Sequence, residues 1–244
     1  MRLTRIADLD ITTDRGVTLP DGVLTTDADA VLTDPEIDIV IELIGGYKPA
    51  LPFILKAIAH GKHIVTANKA LMAVHGQEII AAATQAKVDV MFEAAVGGGI
   101  PVISAIKENL CANRFSTVLG ILNGTCNFIL TKMTNEGSDF GPVLAEAQQL
   151  GYAEADPTFD IEGVDAAHKL TLLASLAFGI PVQFDKAYVE GITKLESQDI
   201  KYADQLGYRI KLLGISKRTA AGIELRVHPC LVPAKRLIAN VEGV

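Results

Sequence analysis

DIVIELIGG, Asp38 to Gly46, decides the fold of this chain. It is a β-branched run of strand length closed by two glycines, which reads as a buried strand followed by a tight turn. Working outward, Lys48 to His60 has helical periodicity, with Pro49 and Pro52 in the first turn, where a missing N–H is tolerated, and Gly61 closing it. KHIVTAN (62–68) is a second short strand, Leu71 to Lys87 an Ala-rich helix, and VDVMFEAAV (88–96) a third strand. Strands alternating with helices of this length predict a parallel sheet with right-handed crossovers. Such sheets bind ligands at the carboxyl ends of their strands. Gly45-Gly46, Asn68-Lys69 and Gly97-Gly98-Gly99 all fall there, so three polar or glycine-rich tips on one edge make a candidate site.

On the N-terminal side, Arg2 to Asp10 (RLTRIADLD) reads as a strand closing on acids. Asp8 or Asp10 would then stand where doubly wound folds place the acid that binds an adenosine ribose. An Asp after a strand is equally an ordinary turn residue. Lys69 follows a strand at the sheet edge, where a cation can meet a phosphate, a carboxylate or a hydroxyl. Its other reading is a helix N-terminal residue pointing to solvent, although the helix dipole disfavours a cation there. The three glycines at 97–99 either expose carbonyls for a small cation or let the chain cross between domains.

Beyond Pro101 the composition shifts. A helix over Val102 to Leu110 leads to FSTVLGIL (115–122), then Asn123-Gly124-Thr125 and an amphipathic helix to Met133. A turn-rich loop, Asn135 to Pro142, precedes a helix from Val143 to Leu150. YRIKLLGISKR (208–218) and GIELRVHPCLVP (222–233) alternate like antiparallel strands. This part reads as a second, α+β domain with an open sheet.

The chemistry of that domain concentrates in GYAEADPTFDIEGVDAAHKL, Gly151 to Leu170. It places four carboxylates, Glu154, Asp156, Asp160 and Glu162, in a loop before a helix that carries Asp165 and Lys169 one turn apart. Residues at i and i+4 share a helical face, and the following turns (Leu170, Leu172, Leu173, Leu176) are apolar. A partly buried lysine beside an acid suits general acid–base work near neutral pH. The alternative is a surface ion pair contributing about a few tenths of a kcal/mol.

The 244 residues, 49% of them hydrophobic, can bury one large core or two modest ones. No apolar run approaches the roughly 20 residues of a membrane span, and the N-terminus shows no signal-peptide pattern. The three cysteines sit in no metal-ligand spacing and are too few for a disulfide framework. His60, His63, His75, His168 and His228 form no metal spacing either. A net charge of −7 without basic clusters argues against a nucleic-acid partner. The expectation is a soluble, cytoplasmic α/β protein with no membrane partner.

Together these segments resemble the homoserine dehydrogenase family. The resemblance rests on ELIGG (42–46), KHIVTANKALM (62–72), FEAAVGGGIP (92–101), GILNGTCNFILTKM (120–133), the stretch 151–170 and VHPCLVP (227–233), which run in family order across nearly the whole chain. It implies an α/β fold: a truncated Rossmann-type doubly wound parallel sheet over 1–98, an α+β catalytic and dimerisation domain over 99–233, and a segment 234–244 returning towards the nucleotide-binding domain. It implies NAD- or NADP-dependent interconversion of L-homoserine and L-aspartate 4-semialdehyde, on the route to threonine, isoleucine and methionine, by a homodimer.

Carried over by position, Lys169 is the implied acid/base, Asp165 its aligning partner and Lys69 a second cation. Glu154 would take the substrate's amino group, with Asp156 supporting the loop, and Gly124-Thr125 would take its carboxylate. Asp8, Gly45, Gly46, Lys69 and Gly243 would meet the cofactor. Glu93, Val96, Gly98 and Ile100 match a structural Na⁺ site built mostly from main-chain carbonyls. Cys126 and Phe128 are variations that touch nothing catalytic. The family's glycine-rich first βα unit and its C-terminal portion lie outside this pattern, so the chain reads as an internal portion of such an enzyme. An impaired chain that keeps fold and oligomerisation, or a related amino-acid oxidoreductase, are the alternatives. Asp8 leans towards NAD, yet the family often uses NADP.

Overall fold

The computed structural model describes residues 2–244, in two compact units divided as Met1–Val102 and Ile103–Val244. In the first, β1 (Ile6–Ala7) pairs in parallel with β2 (Leu24–Thr25), and a short α1 (Asp29–Leu32) follows. A second sheet then assembles from β3 (Ile39–Glu42), α2 (Ala50–Ala59), β4 (His63–Thr66), α3 (Lys69–Ala86) and β5 (Val90–Met91). Its order is β3-β4-β5, all parallel, as the alternation of strands and helices predicts.

Alternate residues of these strands point to one face. Val40, Ile64 and Val90 on it are buried, as are Ile54 and Ile58 of α2 and Leu71, Met72 and Ile79 of α3. Both helices contribute to this layer, and α2 contacts α3, β3 and β4.

The strands are shorter than expected at both ends of this unit. Arg2 to Asp10 is strand only at Ile6–Ala7, because from Asp8 onward side-chain carboxylates take the backbone N–H groups that a longer ladder would use. Asp8 accepts from the Asp10 amide at 2.9 Å, and Asp10 from those of Thr12 and Thr13 at 3.0 and 3.1 Å. VDVMFEAAV is strand only at Val90–Met91, since Glu93–Ala95 winds into a 3₁₀ turn. β2 and α1 carry too few residues for a periodic signal.

From Val102, the last residue of the first unit, α4 (Val102–Ser104) runs into a wide π-type turn over Ala105–Asn109 in the second, where a regular helix to Leu110 was expected. Then come β6 (Thr117–Gly120), α5 (Gly124–Glu136), α6 (Phe140–Gln149), α7 (Thr158–Ile161), α8 (Val164–Phe178), β7 (Tyr188–Val189), α9 (Ser197–Gln205), β8 (Tyr208–Thr219) and β9 (Gly222–Pro233). α6 begins at Phe140, inside the expected loop, because Gly141 and Pro142 occupy its first turn, where neither breaks it. The sheet order is β6-β8-β9-β7. β8 and β9 form a long antiparallel hairpin turning at Ala220-Ala221, with Thr219 opposite Gly222. α5, α8 and α9 pack on β8, and their apolar faces (Ile129, Leu130, Met133, Leu170, Ile200) close over Leu212 and Val227. Gly214 of β8 lets Leu122 approach; a Cβ there would lie 2.6 Å from Leu122 Cδ1. This contact holds the β6–α5 connection against the sheet beside the start of α8.

Candidate active site

Two helix starts and a loop build the polar centre of the second unit. Asp165 lies in the first turn of α8 and Lys169 one turn later; the Lys169 ammonium donates to Asp165 Oδ2 at 2.6 Å. Their side chains are 20% and 3% exposed for Lys169 and Asp165 respectively, which removes the reading as a solvated surface pair. The same ammonium donates to the Leu122 carbonyl at 2.9 Å. It is therefore fixed by one charged and one neutral acceptor on different elements.

Asn123 is the N-cap of α5, its Oδ1 accepting from the Cys126 amide at 2.8 Å, as Asn at this position does. Its Nδ2 donates to Asp160 Oδ1 at 2.7 Å and to Asp165 Oδ2 at 3.0 Å. The Thr125 hydroxyl donates to the Tyr152 carbonyl at 2.7 Å and lies 3.4 Å from Asp160 Oδ2. Asn123 and Asp160 thus belong to this centre, and the reading from sequence gave neither a role. Asp160 stood there only as one of four loop carboxylates, and Asn123 only as the residue before Gly124-Thr125.

Gly124 and Thr125 open α5, so their amides belong to the first turn, which lacks intrahelical acceptors. A Cβ on Gly124 would lie 2.9 Å from Val244 Cγ1, so glycine is what lets the 241–244 segment approach. That segment is tied down by Asn127, whose Nδ2 donates to the Val241 and Gly243 carbonyls at 3.2 and 2.8 Å. The buried Lys211 donates to the Val241 carbonyl and to Asn127 Oδ1, at 2.6 and 3.1 Å. Burial pushes the Lys211 ammonium below the ordinary lysine range. Gly243 therefore rests against α5. The Cys126 thiol, beneath the same helix start, is held far above its usual range by burial and then by the Asp160 carboxylate, and it donates to the Asp160 carbonyl at 3.2 Å.

Glu154 and Asp156 are exposed on the loop before α7. Gln148 donates to the Glu154 carbonyl at 3.1 Å. Asp156 accepts from the Thr158 amide at 3.1 Å, and its contacts with Thr158 hold its carboxyl below the usual range. Asp156 shapes the loop.

In the first unit, the strand tips are wired together by a buried acid. Glu42, 3% exposed at the end of β3, accepts from the amides of Ile44 and Gly45 at 2.7 and 3.1 Å and from the Thr66 hydroxyl at 2.6 Å. Thr66 accepts from the Asn68 amide at 2.9 Å, and Asn68 Nδ2 donates to the Gly46 carbonyl at 2.7 Å. Gly45 and Gly46 have φ of 80° and 63°, a region favouring glycine. Asn68 caps α3 through the Leu71 amide at 3.0 Å, placing Lys69 at the first helical position. Asp8 stands just past β1, bridged to Arg15 at 2.8 Å, while Asp10 is a turn residue bonded to Thr12 and Thr13.

Glu93, Val96, Gly98 and Ile100 lie on one tight segment. The Glu93 carbonyl accepts from Val96 at 3.2 Å, and Ile100 donates to Gly97 at 3.0 Å. Among the described residues, no group of three or more His, Cys, Asp or Glu side chains has metal-holding geometry.

A parallel α/β unit with ordered strand tips, followed by an α+β unit holding a lysine–carboxylate pair at a helix start, defines a two-domain protein of the dinucleotide-binding class. The chain belongs to the homoserine dehydrogenase family. The family's sequence profile, homoserine dehydrogenase, matches residues 101–244, and that for homoserine dehydrogenase, NAD binding domain, matches 1–93. The homoserine dehydrogenase of Pseudomonas aeruginosa is 66% identical over 221 residues, covering 91% of this chain and 51% of that protein. The crystal structure of a homoserine dehydrogenase from Thiobacillus denitrificans superposes with a TM-score of 0.94 at 59% identity, over 98% of this chain and 56% of that one. A hyperthermophilic archaeal homoserine dehydrogenase in complex with NADPH gives a TM-score of 0.71 at 26% identity, over 84% of this chain and 59% of that one. The chain spans about half the length of the curated relatives it matches.

Proposed function

We propose that this chain carries the substrate-handling part of a homoserine dehydrogenase, which interconverts L-homoserine and L-aspartate 4-semialdehyde with NAD or NADP. The observation that carries the reading is Lys169, fixed between Asp165 and the Leu122 carbonyl at the start of α8. When bound, the nicotinamide cofactor takes up or returns the hydride at the substrate's C4. Lys169 moves the proton at the substrate oxygen, and Asp165 aligns it. By the family resemblance, Lys69 would supply a second positive charge to the chemistry.

Glu154 takes the substrate ammonium on a loop whose shape Asp156 maintains; Asp160 adds a further carboxylate. The first-turn amides of Gly124 and Thr125, at the positive end of the α5 dipole, suit the substrate carboxylate. The Thr125 hydroxyl proton already serves the Tyr152 carbonyl. By the family resemblance, Gly45, Gly46 and Gly243 would help hold the cofactor. Asp8 suits a ribose hydroxyl and the adjoining Arg15 a 2′-phosphate, which is consistent with either nucleotide.

We divide the functional regions as 1–98 for cofactor, 99–233 for substrate and dimerisation, and 234–244 for the segment bearing Gly243. The main-chain carbonyls of Glu93, Val96, Gly98 and Ile100 are hard neutral donors that fit Na⁺ by chemistry; the ion would stiffen this crossover. The setting is the cytoplasm, in the synthesis of threonine, isoleucine and methionine. Among the described residues, no helix is long and apolar enough to cross a membrane.

The reading is tested by homoserine-dependent reduction of NAD and NADP. Glu154→Ala is expected to raise KM for homoserine about ten- to a hundredfold, the scale of a charge-assisted contact, with a smaller change in kcat. An unaltered KM would remove Glu154 from the ammonium site. The family resemblance supports a homodimer, formed through the β6-β8-β9-β7 sheet. Sedimentation velocity is expected to give twice the chain mass at micromolar protein, and a monomer there would refute the dimer.

A further inference from the structure

We propose that Asn123 is a positioning residue of the acid–base centre, a neutral bridge that holds Asp160 and Asp165 in register around Lys169. The inference rests on the reading of Lys169 above and extends it to a residue that does not itself touch the reacting atoms. Asn123 is 5% exposed, and its side-chain amide is committed on both sides. The carbonyl oxygen caps α5 through Cys126, which fixes the orientation of the amide. The two N–H groups then face two different carboxylates, Asp160 Oδ1 at 2.7 Å on α7 and Asp165 Oδ2 at 3.0 Å on α8.

Asp165 Oδ2 is also the oxygen that receives Lys169. The bridge therefore acts on the atom that aligns the ammonium. Two carboxylates sharing a small, partly buried site repel each other unless donors stand between them. An amide does this without adding charge. Counted formally, Asp160 and Asp165 set two negative charges against one positive on Lys169, which suits a substrate ammonium; a cation in place of Asn123 would remove that balance.

Leu122, the residue before Asn123, supplies the carbonyl that holds Lys169 from its other side. Two adjacent residues of the β6–α5 link thus set the lysine: one directly, the other through Asp165. The cap fixes this link to α5, so that the helix start and the acid–base pair move as one piece.

The test compares Asn123→Ser and Asn123→Asp with wild type and Lys169→Ala, in the protein as it occurs, by thermal unfolding and by kcat and KM for homoserine. Serine and aspartate both cap helices well, so α5 should persist in each. Neither can donate to both carboxylates, and aspartate adds a third negative charge. The expected result is a kcat lowered at least about tenfold in N123S and further in N123D, on the scale of a misaligned proton-transfer group, with KM for homoserine changed less than kcat. A role confined to capping would leave both Tm and kcat near their wild-type values in N123S, because serine keeps the cap, and an unaltered kcat there would overturn the proposal. If N123D fails to fold, N123S alone decides. A wild-type rate in K169A would instead remove the acid–base reading itself. Loss of activity in K169A with full activity in N123S would remove only the bridge.

Discussion

Lys169→Ala is expected to lower kcat for homoserine oxidation at least about a hundredfold, the usual contribution of a positioned acid–base group, while the protein stays folded. The argument begins with what the substitution leaves behind. Asp165 is buried, and a buried carboxylate stripped of all partners would destabilise the chain strongly. Here Asn123 Nδ2 still donates to Asp165 Oδ2 at 3.0 Å, so the acid is not orphaned. The Leu122 carbonyl loses its contact at 2.9 Å but sits at a partly exposed position with room for water. Folding and catalysis are therefore separable at this residue. Lys169→Arg sharpens the test, because a guanidinium keeps the charge but does not release its proton near neutral pH. Turnover in both variants within about threefold of wild type, a loss below 1 kcal/mol in barrier, would exclude Lys169 as the acid/base.

Gly191→Ala is expected to be among the most destabilising single-methyl additions in the chain. Gly191 follows β7, where the backbone passes directly over the α7–α8 connection. A Cβ there would collide with the Ile161 carbonyl oxygen and lie 2.5 Å from Glu162 Cα. These are backbone atoms, which a rotamer change cannot move aside. The Ile161 carbonyl is also held by the Ile192 amide at 2.8 Å, so the two segments must separate for the methyl to fit. Overpacking of this kind costs about 3 kcal/mol, a fall in Tm on the order of 10 °C for a chain of this size. Because α7 carries Asp160 and α8 carries Asp165, the same shift should reduce kcat in the surviving folded protein. Differential scanning calorimetry with parallel activity measurements checks both; a Tm within about 2 °C of wild type would refute the close approach.

How much of this was legible beforehand follows from how local each signal is. The β3-β4-β5 sheet was readable because each strand is an apolar run flanked by a helix with its own periodicity, and parallel pairing follows from that order. The β8–β9 hairpin was readable for the same reason: twelve-residue strands alternate on either side of a short turn. β2, β7 and α9 were not read. β2 and β7 have two residues each, and pairing partners found elsewhere in the chain decide that they are strands. α9 was announced by a capping box, Glu196 with Asp199, which the short, polar helix behind it, with few apolar residues, did not reinforce.

The site divides in the same way. By itself, the sequence determined that Asp165 and Lys169 share a helical face, that Gly45-Gly46 and Lys69 stand at strand ends, and that six ordered segments place the chain in its family. Only the tertiary structure decided that the Asp165–Lys169 pair is buried, that Glu42 turns inward to order two strand tips, and that Asn123 spans 37 residues to Asp160 and 42 to Asp165. The reason is range. A helical i,i+4 contact is fixed by backbone geometry alone, whereas a carboxylate's burial and donors depend on which distant elements fold against it. The polar centre at the start of α8 is made from three such elements, and the Asn123 amide joins them.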